Sequence, residues 1–175
     1  SGATSLLPKF VDDLDIRLRD FENCPIDCDT LETSDVTAGG AELFLYQSGY
    51  LTIKGYTDGL YLLDIPNYEV RKALYKIVLP TITMQTNAQV LSTQNMLLLA
   101  LQLGNIPDAM KYLKALIADV PYSNKKLASM DMEERYRLIM STIFNAIGCR
   151  VEVEKMISTG RIDIVVESTN YIYIL

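Results

Sequence analysis

At the start of the chain, apolar residues recur with the spacing of a helix. Further along, segments with helical spacing alternate with segments that have the spacing of a β-strand. A first stripe repeats every three or four residues, which predicts an amphipathic helix; it comprises Leu7, Phe10, Val11, Leu14 and Leu18. Residues 20–40 are acidic and rich in turn-forming residues, so they predict a loop with one helical turn near Leu31. Residues 41–47 are apolar enough to form a short second helix.

A β-hairpin is predicted for residues 50–65. Two strand-like runs flank a turn at residues 57–59 that contains Gly59. Asn67 follows the hairpin at a position suited to cap a third helix. The order helix, helix, hairpin, helix is typical of a winged helix, a class that often binds DNA. The hairpin carries little positive charge, however, which favours packing against protein.

Three helices are predicted in the second half of the chain. Residues 93–103 and 107–118 form a helical hairpin that Gly104 interrupts, and the last helix spans residues 131–146 and ends at Gly148. One stripe of the last helix is apolar and comprises Met132, Tyr136, Ile139, Met140, Ile143, Phe144 and Ile147. At about 100° per residue, Glu133 lies at the border of this stripe. Glu134 falls on the opposite face, where Asp131 three residues earlier makes a capping box its ordinary explanation.

The C-terminal residues show a two-residue period, which predicts an antiparallel meander from Val151 onward. Asp163 shares one strand face with Arg161, Val165 and Glu167. The opposite face of the same strand is apolar and comprises Ile162, Ile164 and Val166. With the helices before it, this meander makes the chain an α+β protein.

The amino-acid composition limits the classes of protein and the kinds of active site that the chain can form. The chain has 175 residues, is 49% hydrophobic and carries a net charge of −6, which suits a cytoplasmic globular protein without a general phosphate-binding surface. No apolar run is long enough to span a membrane. Cys24 and Cys28 are spaced for a metal, but zinc needs four ligands and the chain has no histidine, so reduced thiols are the alternative that we favour. Catalysis would depend on carboxylates, lysine and arginine.

Five segments together resemble the bacterial AAA-ATPase-like proteins that carry a C-terminal PD-(D/E)XK nuclease-like domain. The segments are SGAT, YQSGYLTI, PNYEV, VPY and GRID, which begin at Ser1, Tyr46, Pro66, Val120 and Gly160. The resemblance covers essentially the whole chain. No phosphate-binding G-x-x-x-x-G-K-[ST] motif occurs in it, and the chain begins at Ser1 without Met, so we expect a piece of a longer protein.

The resemblance implies an architecture. Residues 1–80 would be the winged-helix-like C-terminal part of an ATPase-like region, and residues 81–125 a connecting helical hairpin. Residues 126–175 would be the first part of a restriction-endonuclease-like core, truncated after its meander. The parent protein would then be a metal-dependent phosphodiesterase acting on nucleic acid.

The same resemblance implies the site residues. Glu133 matches the helix acid of the nuclease-like pattern, Asp163 the strand acid that binds Mg²⁺ or Mn²⁺, and Glu154 a recurrent acid on the preceding strand. A Glu-x-Lys pair should follow the strand near residues 171–175, and the chain contains none. Because cleavage needs both a charge clamp and an activated water, we expect this polypeptide to be inactive and to bind Mg²⁺ or Mn²⁺ only weakly.

Each acid also has an ordinary structural explanation. Asp163 beside Arg161 could stabilise a turn, Glu133 is favoured by the helix dipole in a first turn, and Glu154 and Glu167 could simply face solvent. The chain would then be a non-catalytic protein-interaction module. In either case residues 171–175 are apolar and lack charge, so we expect self-association through this strand.

Overall fold

The structure is a computed structural model of the 175-residue chain. It describes residues 21–33, 40–83, 87–118, 120, 131–157 and 160–175, and the side chains of residues 81–83, 87, 134, 154–157 and 160–163 lie outside the described part. The predicted first helix, the stripe from Leu7 to Leu18, and the predicted capping by Glu134 therefore fall outside it.

The described residues form six helices and two three-stranded antiparallel sheets. The predicted α+β class is confirmed. The chain divides into two units between Arg71 and Lys72. None of the helices in the described part is both long and apolar enough to cross a bilayer.

The N-terminal unit contains the predicted hairpin. Its elements are β1 (Cys24–Asp27), α1 (Cys28–Glu32), α2 (Gly40–Gln47), β2 (Thr52–Thr57), β3 (Leu60–Asp64) and the first turn of α3 (Tyr68–Thr83). Asp58 and Gly59 join β2 to β3 with φ angles of 51° and 83°, the left-handed pair that a tight two-residue hairpin turn requires. The side-chain oxygen of Asn67 accepts a 3.0 Å hydrogen bond from the amide of Val70, which confirms the predicted cap.

The prediction of a loop across residues 20–40 is wrong at β1. This strand pairs antiparallel with β3, with Cys24 opposite Leu63, and makes β3 the central strand of the sheet. Cys24 and Ile26 are buried while Pro25 is exposed, and proline is tolerated because β1 is an edge strand. A four-residue strand has too short a pattern to be recognised without its partner. The helical turn predicted near Leu31 is present as α1.

The core of the N-terminal unit draws its buried side chains from this sheet, from α2 and from the residues beside them. Its buried apolar side chains are Phe21, Cys24, Ile26, Leu43, Phe44, Leu45, Leu51, Leu63 and Ile65. Leu63, at the centre of the sheet, is fully buried. The hairpin that the sequence predicts therefore shares its core with a strand and a helix that both precede it in the sequence.

The C-terminal unit contains the rest of α3, then α4 (Asn87–Gln102), α5 (Ile106–Ile117), α6 (Met132–Ile147), β4 (Arg150–Ile157), β5 (Gly160–Glu167) and β6 (Ile172–Ile174). The predicted helical hairpin, last helix and meander are all present. The prediction for α4 is wrong at its start, because the helix begins at Asn87 instead of Thr93. Val90 is buried, so tertiary packing supports a first turn that the sequence pattern does not mark.

Glycine ends three of the helices in the same way. At Gly104 the glycine amide bonds the carbonyl of Leu101 and the amide of Asn105 bonds that of Ala100, at 3.2 and 2.9 Å. The chain repeats this pair of bonds at Gly49 and Gly148, and each of these glycines has a positive φ. This is the Schellman arrangement, which needs a left-handed residue after the helix. The ends predicted at Gly104 and Gly148 are confirmed.

Helix α6 supports the C-terminal sheet. It packs against α4, β4 and β5, and its residues 138, 139 and 141–147 are buried. Its buried polar side chains bond to carbonyls of their own helix, Thr142 to Leu138 at 2.8 Å and Asn145 to Ser141 at 2.8 Å. Such bonds satisfy polar groups that would otherwise be costly to bury. The helix can therefore lie inside the unit along most of its length.

Candidate functional site

The sheet of the C-terminal unit has a buried face and an exposed face. Ile164 and Val166 of β5 are buried, so the alternate residues of β5 point to the opposite side. Residues paired across strands share a face, and the pairs are Arg150 with Glu167, Glu152 with Val165, Val165 with Ile174, and Glu167 with Ile172. We call these six side chains the outer face.

The outer face has two chemically different parts. On β4 and β5 it carries Glu152, Glu167 and Arg150, all of them exposed. Along β6 it carries only Ile172 and Ile174, whose side chains are also exposed. An acidic surface therefore lies beside an apolar strand at the edge of the sheet.

The strands bring two of the predicted acids to the same place along the sheet. Asp163 belongs to β5, the middle strand, and Glu154 belongs to β4. The pairs Val153 with Ile164 and Lys155 with Ile162 bracket them, so the backbones of residues 154 and 163 lie opposite each other. Both side chains are outside the described part of the structure.

Glu133 does not border the core, and that prediction is wrong. It lies in the first turn of α6, its side chain is 70% exposed, and its carboxylate is hydrogen-bonded to the guanidinium of Arg137 one turn later. Met132, predicted to lie on the apolar stripe, is 72% exposed, and Tyr136 is also exposed. The start of α6 therefore projects beyond the core. In this first part of the helix, the helical spacing of apolar residues does not predict which side chains are buried.

Glu167 takes part in a weak ion pair. Its carboxylate lies 4.0 Å from the Arg150 guanidinium on the neighbouring strand, and both side chains are at least half exposed. A pair of this kind contributes about 0–1 kcal/mol. Its exposure agrees with the structural explanation that the sequence offers for Glu167.

The described side chains do not by themselves form a metal site. Within the described ranges, no group of three His, Cys, Asp or Glu side chains is placed to hold an ion. A hard cation such as Mg²⁺ needs several oxygen ligands around it. Glu152 and Glu167 alone do not meet that requirement, so a site on this face would depend on Asp163 and Glu154.

The three cysteines are not paired in disulfides. Cys24 and Cys149 are buried and Cys28 is exposed, so the two cysteines of the Cys24–Cys28 spacing lie in different environments. Burial raises the pKa of Cys149 to about 11, although the nearby charge of Lys72 acts in the opposite direction. The pKa of Cys28 is also raised, because its thiol donates a hydrogen bond of 3.5 Å to the Glu32 carboxylate and nearby acids repel the thiolate.

Thiol chemistry offers a direct check of these environments. In the native protein at pH 8 we expect a disulfide reagent to label Cys28 alone, slowly, and to reach the other two thiols only after unfolding. Glu32→Gln should accelerate native labelling, because it removes the main acceptor and charge that hold the proton on Cys28. Asp29→Asn, which removes a weaker influence, should accelerate it less. Rapid native labelling of Cys24 or Cys149 would contradict the burial of these residues.

A cavity that the sequence did not predict lies between the end of α5 and the start of α6. Its volume is about 280 Å³, and its lining comprises Ile117, Ala118, Val120, Met132, Arg135, Tyr136 and Ile139. The lining combines apolar side chains with one guanidinium and one phenol. The two helices that form it are separated by unpatterned sequence, so no local signal marks it.

Comparison with known proteins does not add to this picture. No family model, no curated protein and no solved structure matches the chain. The fold and the candidate site define an α+β protein. In its C-terminal unit, a largely buried helix supports a three-stranded meander whose outer face is exposed and partly acidic. The resemblance found in the sequence remains an expectation about the class of protein.

Proposed function

We propose that the C-terminal unit is part of a PD-(D/E)XK nuclease-like domain, a metal-dependent phosphodiesterase that acts on nucleic acid in the parent protein. The observation that carries the proposal is the order α6, β4, β5, with Asp163 on the middle strand and the backbone of Glu154 opposite it. Acids at directly opposed strand positions repel each other. A divalent cation bound between them would offset that repulsion.

The proposal assigns different roles to the three acids. Asp163 would bind Mg²⁺ or Mn²⁺, and Glu154 would be the neighbouring acid on β4. Glu133 would be the helix acid, but its carboxylate would first have to leave Arg137. The metal would polarise the phosphodiester and activate water. The described side chains do not form the metal site alone.

The test is cleavage of plasmid DNA or oligonucleotides with Mg²⁺ or Mn²⁺. We expect the 175-residue chain to be inactive and to bind either ion only weakly, because it contains no Glu-x-Lys. A longer parent chain that supplies Glu-x-Lys after β6 should cleave, and Asp163→Asn should abolish its activity.

A matched control is available on the same strand. Glu167→Gln removes an exposed carboxylate that is paired with Arg150, so it should leave cleavage nearly unchanged. Cleavage by the 175-residue chain that Asp163→Ala abolishes would contradict the expected inactivity. A parent continuation without Glu-x-Lys would count against the nuclease proposal and in favour of the second candidate.

The second candidate is a non-catalytic interaction module, and the apolar part of the outer face favours it. Ile172 and Ile174 are 65% and 66% exposed at the edge of a sheet. Exposed apolar edge strands recruit further strands. We therefore also propose that the protein self-associates through residues 171–175, whether or not the parent is a nuclease.

A further inference from the structure

The hydrogen bonds of β6 show which of its backbone groups point away from the sheet. The amide of Ser168 bonds the carbonyl of Tyr171 at 2.9 Å, and Ile164 and Leu175 exchange two bonds at 3.1 and 2.9 Å. Along an antiparallel strand, every second residue bonds the same neighbour. The backbone groups of Tyr171, Tyr173 and Leu175 are therefore directed at β5, and those of Ile172 and Ile174 are directed outward.

The side chains of β6 do not protect this outward edge. Natural edge strands are often guarded by lysine, proline or an inward charge. Residues 171–175 contain none of these, and the same two residues that present free backbone groups, Ile172 and Ile174, also present exposed apolar side chains. The backbone and the side chains thus favour the same kind of neighbour, another β-strand with an apolar face.

The strand is also held in place. The hydroxyl of Tyr173 donates a 2.6 Å hydrogen bond to the carbonyl of Leu101 at the end of α4. The turn before β6 is fixed to the same helix end, because the Asn170 amide donates to the carbonyl of Gln102 at 3.0 Å. These two bonds tie β6 and the turn before it to the end of α4. A strand ordered in advance loses less conformational entropy when it pairs.

We propose that β6 pairs antiparallel with β6 of a second copy of this chain, centred on Tyr173, so that Ile172 lies opposite Ile174 of the partner subunit. This inference rests on the proposed self-association and gives it a register. The sequence Ile172-Tyr173-Ile174 reads the same in both directions, so a two-fold axis through Tyr173 places isoleucine opposite isoleucine. A two-fold interface requires this kind of self-complementarity.

The register follows from the outward groups. When the pairing is centred on Tyr173, Ile172 and Ile174 of each strand lie opposite Ile174 and Ile172 of the other strand. All four residues direct their backbone groups toward the other strand, which gives two hydrogen-bonded pairs. A shift that places Ile172 opposite its own copy would leave Ile174 opposite Asn170, which lies outside β6. The proposed register therefore forms more hydrogen-bonded pairs within β6 than this shifted register. It joins the two three-stranded sheets into one sheet of six strands, with four isoleucines clustered on its outer face.

The charge distribution allows two copies to meet at β6. The chain carries a net charge of −6, so most ways of bringing two copies together are opposed by repulsion. No charged side chain lies on β6, and the charged residues of the outer face lie on β4 and β5. The two copies would thus meet at the uncharged part of that face.

The first experiment is sedimentation equilibrium of the 175-residue chain with single lysine variants. We expect a concentration-dependent dimer whose Kd rises more than about tenfold in Ile174→Lys, because a charge on the edge opposes strand pairing. Leu99→Lys is the matched control: Leu99 is also apolar and about half exposed, on the charge-free helix α4. Circular dichroism checks that both variants keep the native fold.

The second experiment tests the register by disulfide formation in a Cys28→Ser background, which removes the exposed native thiol. Paired residues in a hydrogen-bonded position have Cα atoms about 5.5 Å apart, within disulfide range. A mixture of Ile172→Cys and Ile174→Cys chains should therefore form a mixed dimer on oxidation. Neither variant alone should cross-link efficiently, because its two cysteines would be displaced along the strands.

The outcomes separate the register from the self-association. A wild-type chain that stays monomeric at high concentration overturns both, as does a dimer that Leu99→Lys disrupts and Ile174→Lys does not. A dimer that Ile174→Lys disrupts, but in which Ile172→Cys cross-links with itself, overturns the register and leaves the self-association in place. Mixed cross-linking together with loss of the dimer in Ile174→Lys supports the proposal as stated.

Discussion

Phe144→Ala is expected to destabilise the C-terminal unit by about 3–5 kcal/mol, the range found when a large buried aromatic is truncated. Phe144 is only 3% exposed and lies in the buried half of α6, the helix that packs against α4, β4 and β5. Its loss removes apolar contacts and leaves a cavity that the surrounding elements can only partly fill. Because α6 packs against α4, β4 and β5, the C-terminal unit should lose most of its free energy of unfolding.

Tyr136→Ala is the matched control for this prediction. Tyr136 is an aromatic residue of the same helix, but it is about half exposed, so its truncation should cost less than about 1 kcal/mol. Urea denaturation followed by circular dichroism measures both variants. Equal losses for Phe144→Ala and Tyr136→Ala would mean that α6 is not packed as the structure shows.

Gly104→Ala is expected to cost about 2–3 kcal/mol through two separate effects. Gly104 has a φ of 68°, and an L-residue in this left-handed region loses about 1–2 kcal/mol. A Cβ at this position would also lie 2.8 Å from Cζ of Tyr171. The tyrosine ring would have to move, at a further cost of about 1 kcal/mol, and with it the segment that leads into β6.

Gly49→Ala separates the two effects. Gly49 ends α2 with the same pair of hydrogen bonds and a φ of 81°, but a Cβ there would meet nothing within 4 Å. Its cost should be the backbone strain alone. In addition, Tyr171→Ala in the Gly104→Ala background should remove the extra cost, which a double-mutant cycle measures. An extra cost that persists without the tyrosine would rule out the proposed clash.

Local signals in the sequence were enough to predict several elements. The hairpin follows from two alternating runs and a turn that contains Gly59, and the last helix from its long apolar stripe and the glycine at its end. The meander follows from the two-residue period after Val151. In each case the evidence lies within one continuous stretch of the sequence, and the hydrogen bonds that form the element are local or involve the next strand.

Elements whose stability comes from distant residues could not be predicted in this way. β1 exists because it pairs with β3, which follows it by more than thirty residues, and α4 starts early because packing supports its first turn. The exposure of Glu133 also depends on distant residues, because they decide where along α6 the core ends. Helical periodicity identifies which residues share a face, but it does not tell where along a helix the core ends.

For the candidate site, the sequence by itself determined which acids belong to which strand and which residues share a strand face. The antiparallel register is a property of the folded sheet, and it brought the backbones of residues 154 and 163 opposite each other. Only the tertiary structure left the start of α6 outside the core, with Glu133 exposed, and placed Ile172 and Ile174 at an edge of the sheet. The physical reason is that side-chain alternation is fixed by the local backbone, whereas burial and edge position depend on which elements meet in space.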